Sequence, residues 1–188
     1  MSKILISEFI NKNSLNKLKK VFKVHYDEKL WKYPKKIARI IKNFDCLIVR
    51  NKTYVNKNLL DRANKIRLVG RLGVGMDNID TEYCYKKKIH VQPATGMNAD
   101  SVAEYVGTCS LLLIKKISLF HKETLKGKWP RTSINSEELK GKNLGIIGYG
   151  SVGKKVSEYC SKIGLEVIVH DKNFKKFRRK NKFQLSSL

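Results

Sequence analysis

A chain of 188 residues, 41% of them hydrophobic and 30% charged, has room for one ordinary domain or two small ones, and its composition excludes a disordered or collagen-like protein. The longest apolar run, Leu111 to Ile114, falls far short of the roughly 20 residues a bilayer-spanning helix needs, and MSKILISEFI lacks the apolar core and cleavage site of a secretion signal, so a cytoplasmic location is expected. The formal net charge is +24, but the 32 lysines and 8 arginines are spread along the chain rather than gathered in one arm, which argues against a nucleic-acid partner.

In chain order, Lys3 to Ile6 reads as a strand and Ser14 to Val21 as a helix with Leu15 and Leu18 on one face. Phe22 to Tyr26 alternates like a strand. Lys35 to Asn43 is helical through Ile37, Ile40 and Ile41, and Cys46 to Val49 is a buried strand. A helix from Asn56 to Ala63 has Asn56 as its cap. Arg67 to Arg71 is a strand, Thr81 to Lys87 a helix capped by Asp80 or Thr81, and Ile89 to Gln92 a strand stopped by Pro93. This alternation predicts a parallel sheet with helices on both faces.

After Gly96 the pattern changes. One long helix is expected from Asp100 to about Phe120, with Val102, Val106, Cys109, Leu113 and Ile117 along an apolar stripe, crossing from a first domain into a second. Gly127, Trp129 and Pro130 mark a loop. The tail from Lys172 to Leu188, with seven basic residues and no acid, reads as solvated, apart from a short strand beginning at Phe183 to Leu185. Cys46, Cys84, Cys109 and Cys160 form no CxxC pair and have no histidine at ligand spacing. Cys46 and Cys109 read as buried packing residues.

The segment NLGIIGYGSVGKK carries the most specific chemistry. Leu144 to Ile147 is a buried strand, followed by Gly148, Gly150 and Gly153 in G-x-G-x-x-G spacing. Gly148 permits a tight turn, Gly150 lets a pyrophosphate approach the backbone, and Gly153 lets the next helix pack against the strand. The helix beginning at Ser151 and Val152 points free N–H groups at the phosphates, with Tyr149 in the same turn. That helix runs to about Lys162, Gly164 caps it, and Leu165 to Val169 forms the next strand. Asp171 follows, placed to accept hydrogen bonds from the adenosine ribose hydroxyls and to repel a 2′-phosphate, which favours NAD over NADP.

Three stretches together, RLVGRLGVGMDNID, PATGMNADSVAEYV and ELKGKNLGIIGYGSVGKKV with Asp171, resemble the D-2-hydroxyacid dehydrogenases, a family that includes phosphoglycerate, glyoxylate and hydroxypyruvate enzymes. The resemblance implies an α/β protein: a flavodoxin-like substrate domain over residues 1–97, then an incomplete Rossmann-type NAD-binding domain over 98–188 that includes the crossover helix. It implies that the turn Gly73-Val74-Gly75 offers N–H groups, chiefly those of Val74 and Gly75, to a substrate carboxylate. Asn98 matches an asparagine near the substrate, or else caps the helix, and Val102 matches a residue near the nicotinamide. Asp77 and Asn78 are expected to fix the loop, and Arg71 is a weaker candidate.

The family's chemistry is reversible hydride transfer between a 2-hydroxy acid and the nicotinamide, using an arginine, a carboxylate and a histidine that no residue of this chain matches in context. The expectation is an N-terminal part, inactive alone, with NAD as cofactor. A small 2-hydroxy or 2-oxo acid is the expected substrate, and a homodimer or a complementing C-terminal half the expected partner. A non-catalytic NAD-binding or interaction protein of the same fold is the alternative.

Overall fold

The computed structural model describes residues 1–172 and 184–185. The chain divides into two compact units, Met1–Thr95 and Gly96–Leu188.

In the first unit five parallel strands, β1 (Lys3–Ile6), β2 (Lys23–Tyr26), β3 (Cys46–Val49), β4 (Leu68–Arg71) and β5 (His90–Pro93), lie in the order β2-β1-β3-β4-β5, a doubly wound arrangement. Their alternating side chains feed two cores. Leu5, Leu47, Val49 and Val69 face one side, where they meet Leu30, Ile37 and Ile41 near α2 (Pro34–Ile40) and Leu59 and Leu60 of α3 (Lys57–Leu60). Ile4, Ile6 and Cys46 face the other side and meet Leu15 of α1 (Lys12–Val21). A strand buried on both faces reads as a continuous apolar run, which is why CLIV was legible as β3.

Two helix starts show capping at work. The Asn56 side chain accepts from Leu59 N at 3.1 Å, and Asp80, ahead of α4 (Thr81–Lys86), accepts from Tyr83 N at 2.9 Å. The first helix begins earlier than expected at Ser14, because Asn11 accepts from Asn13 N at 2.9 Å and starts it at Lys12. The helix expected over Lys35 to Asn43 tightens into a 3₁₀ turn at Ile41–Asn43, and α3 is only the first turn of the helix expected to reach Ala63.

The second unit holds α5 (Ala99–Ile114), α6 (Ile117–Thr124), β6 (Asn143–Ile147), α7 (Ser151–Lys162), β7 (Glu166–His170) and β8 (Gln184–Leu185). β6, β7 and β8 form a parallel sheet in that order, and among the described residues β6 pairs on one side only. The strand expected to be buried over Leu144 to Ile147 is not: Leu144 and Ile146 are half-buried against one core, while Ile147 points to the other face and is 78% exposed. Of the basic tail beyond Lys172 only Gln184 and Leu185, the β8 pair of the strand expected to begin at Phe183, are described; Phe183 and the other residues lie outside the described ones.

The single helix expected over 100–120 is two helices. Lys116 adopts a left-handed conformation, φ 51 and ψ 33, which ends one helix and starts the next in a new direction. The expected apolar stripe is also displaced. Ala99, Ala103 and Gly107 form the buried face of α5, while Leu113 is 76% exposed and Ile117 is exposed as well. Small residues occupy that face because α7 crosses it closely: a side chain on Gly107 would collide with the Tyr159 ring. Val102, Val106 and Ile114 pack against the edge of the same core.

Cys109 is only half-buried, in contrast to the expected packing role, whereas Cys84 and Cys160 are fully buried. Burial pushes the Cys46 thiol up to about 11, so it is inert at neutral pH. Among the described residues no helix is long and apolar enough to cross a membrane.

Candidate functional site

The glycine turn lies in the second unit between β6 and α7. Gly148 has φ +93, a conformation that side-chain-bearing residues rarely adopt, and its N–H donates to His170 O at 2.7 Å, extending the β6–β7 ladder by one residue. Gly153 sits where a β-carbon would collide with the Gly148 carbonyl oxygen, so the first turn of α7 rests directly on the strand end. The space beside Gly148 and Gly150 is open.

Gly150 occupies the N-cap position of α7 without a side chain to cap it, and the first intrahelical bond is Lys154 N to Gly150 O at 3.0 Å. The N–H groups of Ser151, Val152 and Gly153 are therefore left at the positive end of the helix dipole. Gly148, Gly150, Ser151, Val152 and Gly153 line one cavity of about 520 Å³, and Val102 and Val106 of α5 face the same space. A concave turn with uncapped amides, no side chain at Gly150 and an apolar wall fits the phosphates and the adjoining portion of a dinucleotide.

Asp171 stands just past the end of β7 and accepts from Tyr149 N at 2.7 Å. The carboxylate is thus tied into the turn it was expected merely to follow. The Tyr149 side chain points the other way: it is buried among Val156, Leu165 and Val167, with its hydroxyl 3.3 Å from Ser157 Oγ. Tyr149 builds the cradle from below. The G-x-G-x-x-G spacing gave no sign of this, because it leaves the second position unspecified.

The second candidate stretch follows β4 in the first unit. Gly73 has φ +151, and the Arg71 side chain folds across it so closely that a β-carbon there would strike the guanidinium. Gly73 N–H turns back to Arg71 O at 2.9 Å. Val74 is 47% exposed, and neither its N–H nor that of Gly75 meets a backbone acceptor among the described residues, so both remain open to an anion. Arg71 Nη1 donates to Leu72 O at 3.2 Å, and its Nε is buried without a partner. An unsatisfied buried N–H is rare and calls for an acceptor. Arg71 therefore carries more of this site than its strand-end position suggested; the signal available was an arginine two residues from a glycine turn.

Asn78 is buried and donates to Arg50 O at 3.1 Å and Thr53 O at 2.7 Å, fixing the neighbouring loop. Asn98 occupies the N-cap position of α5 but makes no capping bond with its side chain, which is exposed. It does not fulfil the capping alternative.

That loop, residues 50–53, is held by one further residue not anticipated from the sequence. Glu8, 3% exposed, accepts from the backbone N–H groups of Arg50 (2.9 Å), Asn51 (3.3 Å), Lys52 (3.0 Å) and Thr53 (2.9 Å). Burial pushes its carboxyl up, but the bonds from Thr53, Arg50 and Lys52 outweigh this and hold it below the ordinary value of 4.5.

A profile of the D-isomer specific 2-hydroxyacid dehydrogenase catalytic domain matches residues 4–177. The chain is 38% identical over 171 residues to an (S)-sulfolactate dehydrogenase from Chromohalobacter salexigens, covering 91% of this chain and 55% of that one. It is 33% identical over 171 residues to a D-3-phosphoglycerate dehydrogenase from Methanocaldococcus jannaschii, covering 91% and 32%. The fold matches the crystal structure of an NADPH-dependent glyoxylate/hydroxypyruvate reductase from Sinorhizobium meliloti with a TM-score of 0.79 at 18% identity, covering 99% of this chain and 58% of that one. The chain thus spans about half the length of the first relative and about a third of the second. With the profile match extending from β1 past β7, the chain belongs to the D-isomer specific 2-hydroxyacid dehydrogenase family.

Proposed function

We propose that this chain supplies the nucleotide-holding and carboxylate-holding parts of an NAD-linked oxidoreductase acting on the CH–OH group of a small 2-hydroxy acid. The observation that carries the reading is the Gly148–Gly153 cradle closed by the Asp171–Tyr149 bond. Ser151, Val152 and Gly153 would donate to the pyrophosphate, Asp171 would receive the ribose hydroxyls, and Val102 would flank the nicotinamide end. When bound, NAD supplies the hydride acceptor.

In the first unit, Val74 and Gly75 N–H would bind the acid's carboxylate, and Arg71, with its unpartnered Nε, would add a positive charge beside it. Residues 1–97 act as the substrate domain in this reading and residues 98–188 as the nucleotide domain, each with the topology already described. Carbonyl polarisation and proton transfer are assigned to no residue of this chain. The exposed apolar side chains Leu113, Ile117, Leu119 and Leu125 along α5 and α6 support a homodimer, and the open edge of β6 supports a complementing segment.

The experiment is a titration with NAD and NADP of the wild type and of Asp171→Asn. Asparagine keeps an oxygen for Tyr149 N–H but removes the charge. NAD is expected to bind the wild type more tightly, and the variant to gain NADP affinity relative to NAD. Equal binding of both nucleotides to the wild type would sink the choice of NAD, and no binding of either would sink the nucleotide reading.

A further inference from the structure

The face of the first unit that carries α2 and α3 holds a cavity of about 620 Å³, within the range of about 300–1,000 Å³ typical of small-molecule sites. It shares no residue with the Gly73–Gly75 turn. Its floor is apolar: Ile37 and Ala38 of α2 and Leu59 of α3. Trp31 and Tyr54 supply aromatic walls.

Every charged residue that lines the cavity is cationic. Lys32, Lys35, Lys52 and Arg62 line it, with no carboxylate among the lining residues. Lys52 Nζ lies over the Trp31 ring at 4.4 Å from its centroid and Lys32 Nζ at 5.6 Å, so both ammonium groups are drawn to the indole face. A second depression shares Lys35, Ala38 and Arg62 and adds Arg39 and Lys42, which follow Lys35 at helical spacing. Among the described residues, none of these six cations forms an ion pair. The fold thus gathers on one face charges that the linear sequence disperses.

Six unpaired cations around an apolar floor repel one another and leave charge uncompensated beside low-dielectric walls. That arrangement favours a ligand with a negative head and an apolar body. A bare inorganic anion would leave the Trp31–Leu59 floor wet. An uncharged hydrocarbon would bring no charge to the mouth. Lys52 and Thr53 also belong to the loop that Glu8 and Asn78 lock in place, so this side of the cavity is already ordered before anything binds. We propose that the α2–α3 cavity is a binding site for a small organic anion, an aromatic or aliphatic body carrying a carboxylate or phosphate, separate from the dehydrogenase machinery.

The probe is 1-naphthyl phosphate, titrated calorimetrically and by quenching of Trp31 fluorescence in a Trp129→Phe background. Saturable binding that quenches Trp31 is expected. The Lys35→Glu/Arg62→Glu double variant should weaken binding at least about tenfold, and neutral 1-naphthalenemethanol should bind about tenfold more weakly than the phosphate. Both residues are exposed, so the variant should keep the wild-type circular dichroism spectrum. Lys12→Glu/Lys17→Glu on α1, which packs on the opposite face of the sheet, makes the same change in net charge and should leave the affinity unchanged. The proposal is overturned by absence of saturable quenching, by equal binding of the neutral analogue, or by equal losses in the two double variants. It is also overturned if a single-stranded oligonucleotide displaces the probe with a steep salt slope, which would make the face a nucleic-acid track.

Discussion

Replacing Glu8 by glutamine tests whether one buried carboxylate organises the loop after β3. The carboxylate accepts two N–H groups on each oxygen. An amide keeps one oxygen, so whichever way it turns, two N–H donors face an NH₂ group. A hydrogen bond to a charged group contributes about 1.5–3 kcal/mol, and a buried donor left unsatisfied costs about 1–3 kcal/mol. Asn51 and Lys52 are exposed, so water can partly replace the lost acceptor at their amides. The expected loss is about 2–4 kcal/mol, a large share of the about 5–15 kcal/mol that holds a typical domain. With a urea slope of about 2 kcal/mol/M, the midpoint should fall by about 1–2 M.

Urea unfolding followed by Trp31 fluorescence, in a Trp129→Phe background, reads this directly because Lys52 lies against Trp31. The pH dependence sharpens the test. The folded pKa of Glu8 is depressed, so its contribution is complete above the ordinary value of 4.5 and is lost as pH falls through the folded value. The gap between wild type and Glu8→Gln should therefore be constant from about pH 7 to pH 5 and close in stronger acid. Midpoints that coincide at pH 7, or a gap that persists in strong acid, would refute the reasoning.

Gly153→Ala places a methyl group against the Gly148 carbonyl; it should cost about 1–3 kcal/mol and abolish nucleotide binding, measured by thermal melting with and without NAD. Lys116→Gly relieves a left-handed side-chain-bearing residue and should stabilise the α5–α6 junction by up to about 1 kcal/mol, read as slower amide exchange around residues 114–118. Arg71→Met removes the guanidinium beside Val74 and Gly75 and should weaken binding of a 2-oxo acid such as glyoxylate, with circular dichroism unchanged; unaltered affinity would remove Arg71 from the site.

The first-unit strands were legible because burial on both faces writes itself as short apolar runs, as in KILI and CLIV; β6 carries an apolar run, NLGII, with only one face half-buried. The cradle was legible because Gly148 and Gly153 answer separate demands, a positive φ and a close approach to the strand end, at the spacing of the motif. Hydrophobic periodicity misled at α5. There the close approach of α7 selects the smallest residues, Ala99, Ala103 and Gly107, and leaves the larger Leu113 outside. The break at Lys116 carries no glycine or proline to announce it. Glu8 depends on a long-range encounter, with Thr53 45 positions away, which no local pattern encodes, and Lys52 and Arg62 join the cations of α2 only through the fold.

With Asp171 in the ribose-binding role proposed above, its bond from Tyr149 N–H ties selectivity to architecture. A ribose-recognising acid on a free loop could be exchanged for a neutral or basic residue with little structural effect. Here the same carboxylate helps close the turn between β6 and α7, so drift or engineering toward a phosphorylated ribose also removes an acceptor from Tyr149 N–H. A route through asparagine, serine or threonine at position 171 preserves that acceptor, while a direct step to arginine does not. Changes of nucleotide preference in this chain should therefore come as paired substitutions, one that reverses the charge and one that restores the turn.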